Sequence, residues 1–211
     1  MNKKLLNIQT GRSMIEMLGV LAIVGVLSVG GIAGYSKAME KFKINKTIDQ
    51  VSHIVANIRT LYAQQTTYEG LSHSYAVKMG IIPDSLTTTN SWPYITNAFN
   101  GGVFISYDYE TPEDAFIITF QKLPKEACIT LATMDWGSPS SSGLTAILVG
   151  REHMTGPWNS YAGNCGNNTS FAEACPGDPR YPAPMSVATA ASACSQCAEL
   201  DYGCNVSWRF Q

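Results

Sequence analysis

The chain has 211 residues, only 14% of them charged, and a formal net charge of −2. No basic tract with interleaved aromatics occurs, which excludes the ordinary electrostatic footprint of a nucleic-acid-binding protein. No nucleophilic triad, phosphate loop, dinucleotide fingerprint or paired-acid motif is present, so the sequence reads as a non-enzyme with no cofactor and no metal.

Taken from the start, Met1 to Gly11 is a short polar leader carrying Lys3 and Lys4. Arg12 follows, and then an apolar run, Met14 to Tyr35, with one ionisable group inside it, Glu16. The run is about the 20 residues that span a bilayer. A carboxylate at the edge of such a run costs roughly 2.5–3.5 kcal/mol at a helix centre, so it calls for a partner. A secretory signal peptide shares the charged start, but its core is usually shorter and its cleavage site follows the core. A plain signal anchor fits the length and leaves Glu16 without a role. Lys37, Lys41, Lys43 and Lys46 follow the run, so charge counting leaves the orientation open. Gly30 and Gly34 form a small-xxx-small pair suited to close helix approach.

The apolar run passes directly into an amphipathic stretch. Ile44, Ile48, Val51, Val55, Ile58 and Tyr62 recur in steps of four and three, with Ile54 and Leu61 widening the stripe. Because the first proline is Pro83, one helix is predicted from Ser13 to about Gln64. Ser72–Met79 reads as a short helix, stopped by Gly80 and Pro83, and Asp84–Asn97 as turn-forming sequence. Val103–Tyr109 and Ala115–Gln121, either side of Thr111-Pro-Glu-Asp114, read as an antiparallel hairpin. Pro124 opens a short helix carrying Cys128. Thr145–Val149 reads as a strand, and Thr155–Pro184 as a Gly-, Pro- and Asn-rich loop. Met185–Glu199 reads as a helix with Cys194 and Cys197 near one face. In the last run, Val206, Trp208 and Phe210 alternate as in a strand buried on one face.

All six cysteines, Cys128, Cys165, Cys175, Cys194, Cys197 and Cys204, lie in the second part of the chain. An even set behind an export-like segment points to disulfides in an oxidising compartment. Cys194-Ser-Gln-Cys197 also matches a redox or half-zinc motif. A redox pair wants its first thiol at a helix N-terminus, and this motif falls near a helix end. A zinc site wants a second ligand pair, and His53, His73 and His153 lack ligand spacing.

The segment Gly11-Arg-Ser-Met-Ile-Glu16-Met-Leu-Gly-Val-Leu-Ala-Ile-Val-Gly-Val-Leu resembles the start of type IV prepilins. The resemblance implies cleavage between Gly11 and Arg12 by a prepilin peptidase at the cytoplasmic face, and N-methylation of Arg12. The family usually has Phe, Met or Leu as its first mature residue, and here it is Arg12. The resemblance also implies pairing of Glu16 with the amino terminus of a neighbouring subunit. Gly101-Gly-Val, Phe116-Ile-Ile-Thr-Phe and Leu123-Pro-Lys-Glu-Ala-Cys128, with a late cysteine before the last strand, resemble the type IVb subclass. That subclass has longer leaders and fewer cysteines. With sequence proximity, the resemblance implies pairs Cys128–Cys194, Cys165–Cys175 and Cys197–Cys204.

The expected organisation is therefore a leader (1–11), a transmembrane and assembly segment (12–35) and a head (36–211). The expected fold class is α+β: a long N-terminal helical spine packed on an antiparallel sheet, with a disulfide-stapled later region. The implied function is a structural subunit of a type IV pilus or pilus-like filament. The alternatives are a pseudopilin or minor pilin of a type II secretion-like machine, or an anchored adhesive module. The implied partners are further copies of the chain, the prepilin peptidase, the pilus assembly machinery and the inner membrane, with no nucleic acid. The implied location is the bacterial inner membrane, single-pass with the N-terminus cytoplasmic, and then a surface pilus or periplasmic filament.

Overall fold

A computed structural model describes residues 14–89, 95–108, 115–137, 142–150, 172–174, 184–198 and 203–211. Gly11, Arg12, Cys165 and Cys175, and the turn Thr111–Asp114, lie outside the described residues. The chain divides into two compact units, with the boundary after Lys41.

Helix α1 runs from Met14 to Tyr62 across that boundary without a break, ending two residues before the expected Gln64. Up to Lys37 every residue of α1 is exposed. In the second unit the helix buries Ile44, Thr47, Gln50, Val51, Ile54 and Ile58. The periodicity located this face, with two corrections. Leu61 is 49% exposed although it extends the apolar stripe. Thr47 and Gln50 are buried although polar. Their burial follows from hydrogen bonds: Thr47 donates to the Lys43 carbonyl (2.9 Å) and Gln50 Nε2 to the Ser85 carbonyl (3.0 Å). Asn57 likewise donates to the Ile81 carbonyl at 2.8 Å. Gln50 and Asn57 thus hold the irregular segment around 81–85, where a hydrophobic side chain would leave carbonyls unpaired.

Helix α2 (His73–Lys78) is capped by Ser72, whose Oγ accepts from the Tyr75 N–H at 3.4 Å. It ends through Gly80 at φ +71°, the left-handed position that favours glycine after a helix. Two short strands, β1 (Thr87–Thr88) and β2 (Ile95–Thr96), pair antiparallel in the stretch expected to be turns only. Two-residue strands carry too little sequence to show a period.

The main sheet contains β3 (Val103–Tyr107), β4 (Phe116–Leu123), β5 (Leu144–Gly150), β6 (Ala172–Ala174) and β7 (Cys204–Phe210). Its spatial order is β3-β4-β7-β5-β6, and every neighbouring pair is antiparallel. The β3–β4 pair is the expected hairpin, with Ile105 opposite Ile118. β6 falls inside the stretch read as loop. It has three residues with Gly and Pro abundant around them, so propensity favoured a loop.

Strand β7 differs most from its expected role. It is the middle of the sheet, between β4 and β5, with Trp208 opposite both Ile118 and Ile147. It is buried on both faces rather than one: Asn205 and Ser207 are buried alongside Val206, Trp208 and Phe210. Ser207 finds its partner within the sheet, its Oγ lying 2.7 Å from Thr119 Oγ1. Alternation of polar and apolar types looked like a half-exposed strand, but in a central strand small hydroxyls pair across the ladder.

On the core face, Phe116, Ile118, Phe120, Ile147, Val149, Val206, Trp208 and Phe210 join Ile44, Val51, Ile54 and Ile58 of α1 in one hydrophobic cluster. Helices α3 (Lys125–Thr133) and α4 (Val187–Ala198) pack on each other and against β5 and β7. Pro124, expected as the first helical residue, stands just outside α3 as its cap residue, so the helix starts one position later than expected.

Candidate assembly helix and the disulfide-braced head

Between Met14 and Tyr35, α1 exposes Ile15, Leu18, Leu21, Ile23, Val26, Leu27, Val29 and Ile32, each more than half accessible. The helix is long and apolar enough here to cross a membrane, and none of this stretch is buried. Glu16 lies in its first turn, where a carboxylate favours the helix dipole. No Cβ added at Gly19, Gly25, Gly30, Gly31 or Gly34 would meet anything within 4 Å. Nothing among the described residues therefore requires these glycines, each of which weakens a helix by about 1 kcal/mol against alanine.

The head is braced in four places. The first is sulfur. Cys128 of α3 is bonded to Cys194 of α4 (S–S 2.00 Å, Cα–Cα 5.9 Å), and Cys197 of α4 to Cys204 at the start of β7 (S–S 1.98 Å, Cα–Cα 4.9 Å). Cys194 and Cys197 face inward together, as their spacing of three implied, and both are buried. The sulfurs of Cys128, Cys197 and Cys204 all lie within 4.8 Å of one another. Metal coordination by cysteine needs thiolates, and these sulfurs are consumed in disulfides.

The second brace is Arg59, near the end of α1. Its Nη2 donates to the carbonyls of Ser142 and Gln211, the latter at 2.9 Å, and its guanidinium lies 5.8 Å from the Phe210 ring. The Gln211 N–H in turn donates to the Gly143 carbonyl at 2.7 Å. Gly143 has φ +61°, and a Cβ there would stand 2.2 Å from both Arg59 Nη2 and the Gln211 carbonyl. Sequence reading passed over Arg59, because a lone arginine in the last turn of a helix looks like solvated dipole compensation.

The third brace is Asn97. Its Oδ1 accepts from the Phe99 and Gly101 N–H groups (2.8 and 3.0 Å), and its Nδ2 donates to the Gln121 carbonyl at 2.8 Å. Gly101 approaches β4 so closely that a Cβ would sit 1.8 Å from the Gln121 oxygen. On the far face of the sheet Arg209 Nε donates to Asp108 Oδ2 at 2.7 Å, and its Nη1 to Thr145 Oγ1 at 2.8 Å. From β7, Arg209 thus reaches the end of β3 through the ion pair with Asp108 and β5 through the hydrogen bond to Thr145. Burial beside Phe104 lowers the His73 imidazole from its ordinary value of 6.5, and burial raises the Tyr62 phenol above 10.0.

Residues 41–175 match the protein family described as PilS N terminal. Over 160 residues the chain is 31% identical to the major structural subunit of bundle-forming pilus of Escherichia coli O127:H6 (strain E2348/69 / EPEC), covering 76% of this chain and 80% of that protein. The subunit of the same description from Escherichia coli O111:H- is 30% identical with the same coverage. Among solved structures, the type IV b pilin from Salmonella typhi covers 81% of this chain and 97% of that one, at TM-score 0.45 and 14% identity. TcpA, a type IV pilin from Vibrio cholerae El Tor biotype, covers 80% and 99%, at TM-score 0.48 and 15% identity.

Proposed function

Because the chain belongs to the PilS family of type IV pilins, we propose that it is the repeating, major subunit of a surface pilus, polymerised through the first half of α1. The observation that carries the reading is the exposed apolar stretch Met14–Tyr35, continuous with a helix whose second part is the spine of the head. Exposed apolar surface on this scale has two stable environments, a lipid bilayer and the apolar faces of other copies. A pilin uses both in turn.

In this scheme the precursor crosses the inner membrane once with Lys3 and Lys4 in the cytoplasm. The prepilin peptidase cuts after Gly11, exposing an α-amine on Arg12, which is then N-methylated. On entry into the filament, Glu16 pairs with the Arg12 amine of a neighbouring subunit. A subunit out of register leaves that carboxylate unpaired among apolar helices, at a cost of several kcal/mol. The backbone left bare by Gly30, Gly31 and Gly34 allows close helix approach in the packed core. The assembly machinery supplies the work of extraction from the membrane.

The test is Glu16→Ala in the producing bacterium. The head, in the other compact unit, keeps its fold, membrane-bound subunit accumulates, and sheared surface fibres fall to few or none. Normal fibre yield would remove Glu16 as the register device. Mass analysis of the mature subunit locates the cut, and a terminus beyond Tyr35 would replace the pilin scheme by signal-peptide export.

A further inference from the structure

We infer that the head reaches its native disulfide pattern only with a thiol–disulfide isomerase as folding partner, because Cys128 must bypass two cysteines to reach Cys194. The inference needs from the filament reading only that the head is exported in chain order, N-terminal side first.

In sequence order the cysteines are Cys128, Cys165, Cys175, Cys194, Cys197 and Cys204. An oxidant that joins them as they emerge makes consecutive pairs, Cys128–Cys165 and Cys175–Cys194 before Cys197–Cys204. Loop closure adds to the bias, favouring the nearer Cys165 over Cys194 by about twofold. The structure instead holds Cys128–Cys194, a pair 66 residues apart that straddles Cys165 and Cys175. Of the two disulfides among the described residues, Cys197–Cys204, seven apart, joins consecutive cysteines and Cys128–Cys194 does not.

Once all six cysteines are oxidised in consecutive pairs, no internal thiolate remains to start exchange. An external one is required. The exchange balances without net oxidation. The isomerase thiolate attacks the Cys165 sulfur of the mispaired bond, forming a mixed disulfide and releasing Cys128 as thiolate. Cys128 attacks Cys194 and releases Cys175 as thiolate. Cys175 attacks Cys165 in the mixed disulfide and returns the isomerase thiolate. The partner is thus a reduced protein with a low-pKa, solvent-accessible thiol.

The geometry of the finished head sets a deadline. The sulfurs of Cys128, Cys197 and Cys204 lie within 4.8 Å of one another, so docking of α3 on α4 also brings non-native partners into reach. All four cysteines of these two disulfides are at most 1% exposed. Correction must therefore precede docking, after which neither right nor wrong pairs can be attacked from outside.

The experiment follows the full chain in a bacterium that exports it, with and without its periplasmic thiol–disulfide isomerase. Thiols are blocked at timed intervals and the pairs are mapped by non-reducing peptide mass analysis. Protease accessibility in spheroplasts separately scores export, so failure of the filament reading registers there and not in the pairing. Without the isomerase, Cys128 is expected mostly joined to Cys165, with loss of Cys128–Cys194. In the double variant Cys165→Ser/Cys175→Ser the consecutive pairs are the native ones, Cys128–Cys194 and Cys197–Cys204, and the isomerase requirement disappears. Equal rate and yield of Cys128–Cys194 in wild type without the isomerase would overturn the inference. So would a double variant that still depends on it.

Discussion

Trp208 offers a sharp test of how the head core is built. It is fully buried at the centre of β7, with Phe120 at 6.0 Å and Trp136 at 5.2 Å between ring centroids. Among the described residues its indole N–H has no hydrogen-bond partner. Trp208→Ala removes a full aromatic side chain from a close-packed core and should cost about 3–5 kcal/mol. Trp208→Phe is a different perturbation. It leaves roughly 40 Å³ of unfilled volume, worth about 1 kcal/mol at ~24 cal/mol per Å³. It also deletes a buried, unpaired donor whose desolvation costs about 1–3 kcal/mol. The donor term equals or exceeds the cavity term, so the phenylalanine variant should lie between wild-type stability and about 2 kcal/mol above it. Urea unfolding of the detergent-solubilised full chain, followed by circular dichroism, gives both differences. A phenylalanine variant as unstable as the alanine one would mean that the indole N–H has a partner and that this account of the core is wrong.

Three further outcomes are expected. Replacing Cys128 and Cys194 together by serine should cost about 4 kcal/mol, and replacing Cys197 and Cys204 about 2–2.5, from the loop lengths in the chain-entropy treatment; equal midpoint shifts in urea would show that strain or residual structure dominates. Arg59→Met keeps most of the aliphatic stem but loses the donors to Ser142 and Gln211, at about 1.5–3 kcal/mol, and hydrogen exchange at Gln211 should accelerate; unchanged exchange there would dismiss the clamp. Because burial lowers the His73 pKa below 6.5, the unfolded chain takes up the proton first as pH falls, so this residue's contribution is complete above 6.5 and declines below it. His73→Gln should flatten that part of the stability–pH curve, and an identical curve would dismiss the effect.

The features legible in the sequence were those with a repeating signal. The apolar run and the four-and-three spacing of Ile44, Val51 and Ile58 outlined α1 almost to its last residue, because a long helix averages over local exceptions. Phe116-Ile-Ile-Thr-Phe announced a buried strand by β-branched and aromatic content. The exposure of Leu61 was misjudged because apolar type alone does not fix the width of a buried face: Ile58 is buried and Tyr62 packs on the core while Leu61 between them stays half exposed. Gln50 could not be foreseen as buried, since its partner is the Ser85 carbonyl of a loop with no pattern of its own, and Thr47 is buried because its hydroxyl turns back onto the Lys43 carbonyl of its own helix. The place of β7 in the sheet is a long-range fact. Alternation along one strand says nothing about how many neighbours it has, and centrality became visible only with the ladder to β4 and β5.

That centrality bears on how the head comes together. β4 and β5 are not paired with each other and meet only through β7, which follows them both in the chain. Until β7 arrives, β4 presents an open edge with Phe116-Ile-Ile-Thr-Phe120, a β-prone stretch without charge or proline and the kind that joins strangers edge to edge. Pairings this distant in sequence form slowly. The subunit therefore passes through a window in which its own future centre is an aggregation template. A chain cut short before Cys204 stays in that window for good, which makes quality control of incomplete subunits a matter of recognising one unpaired edge.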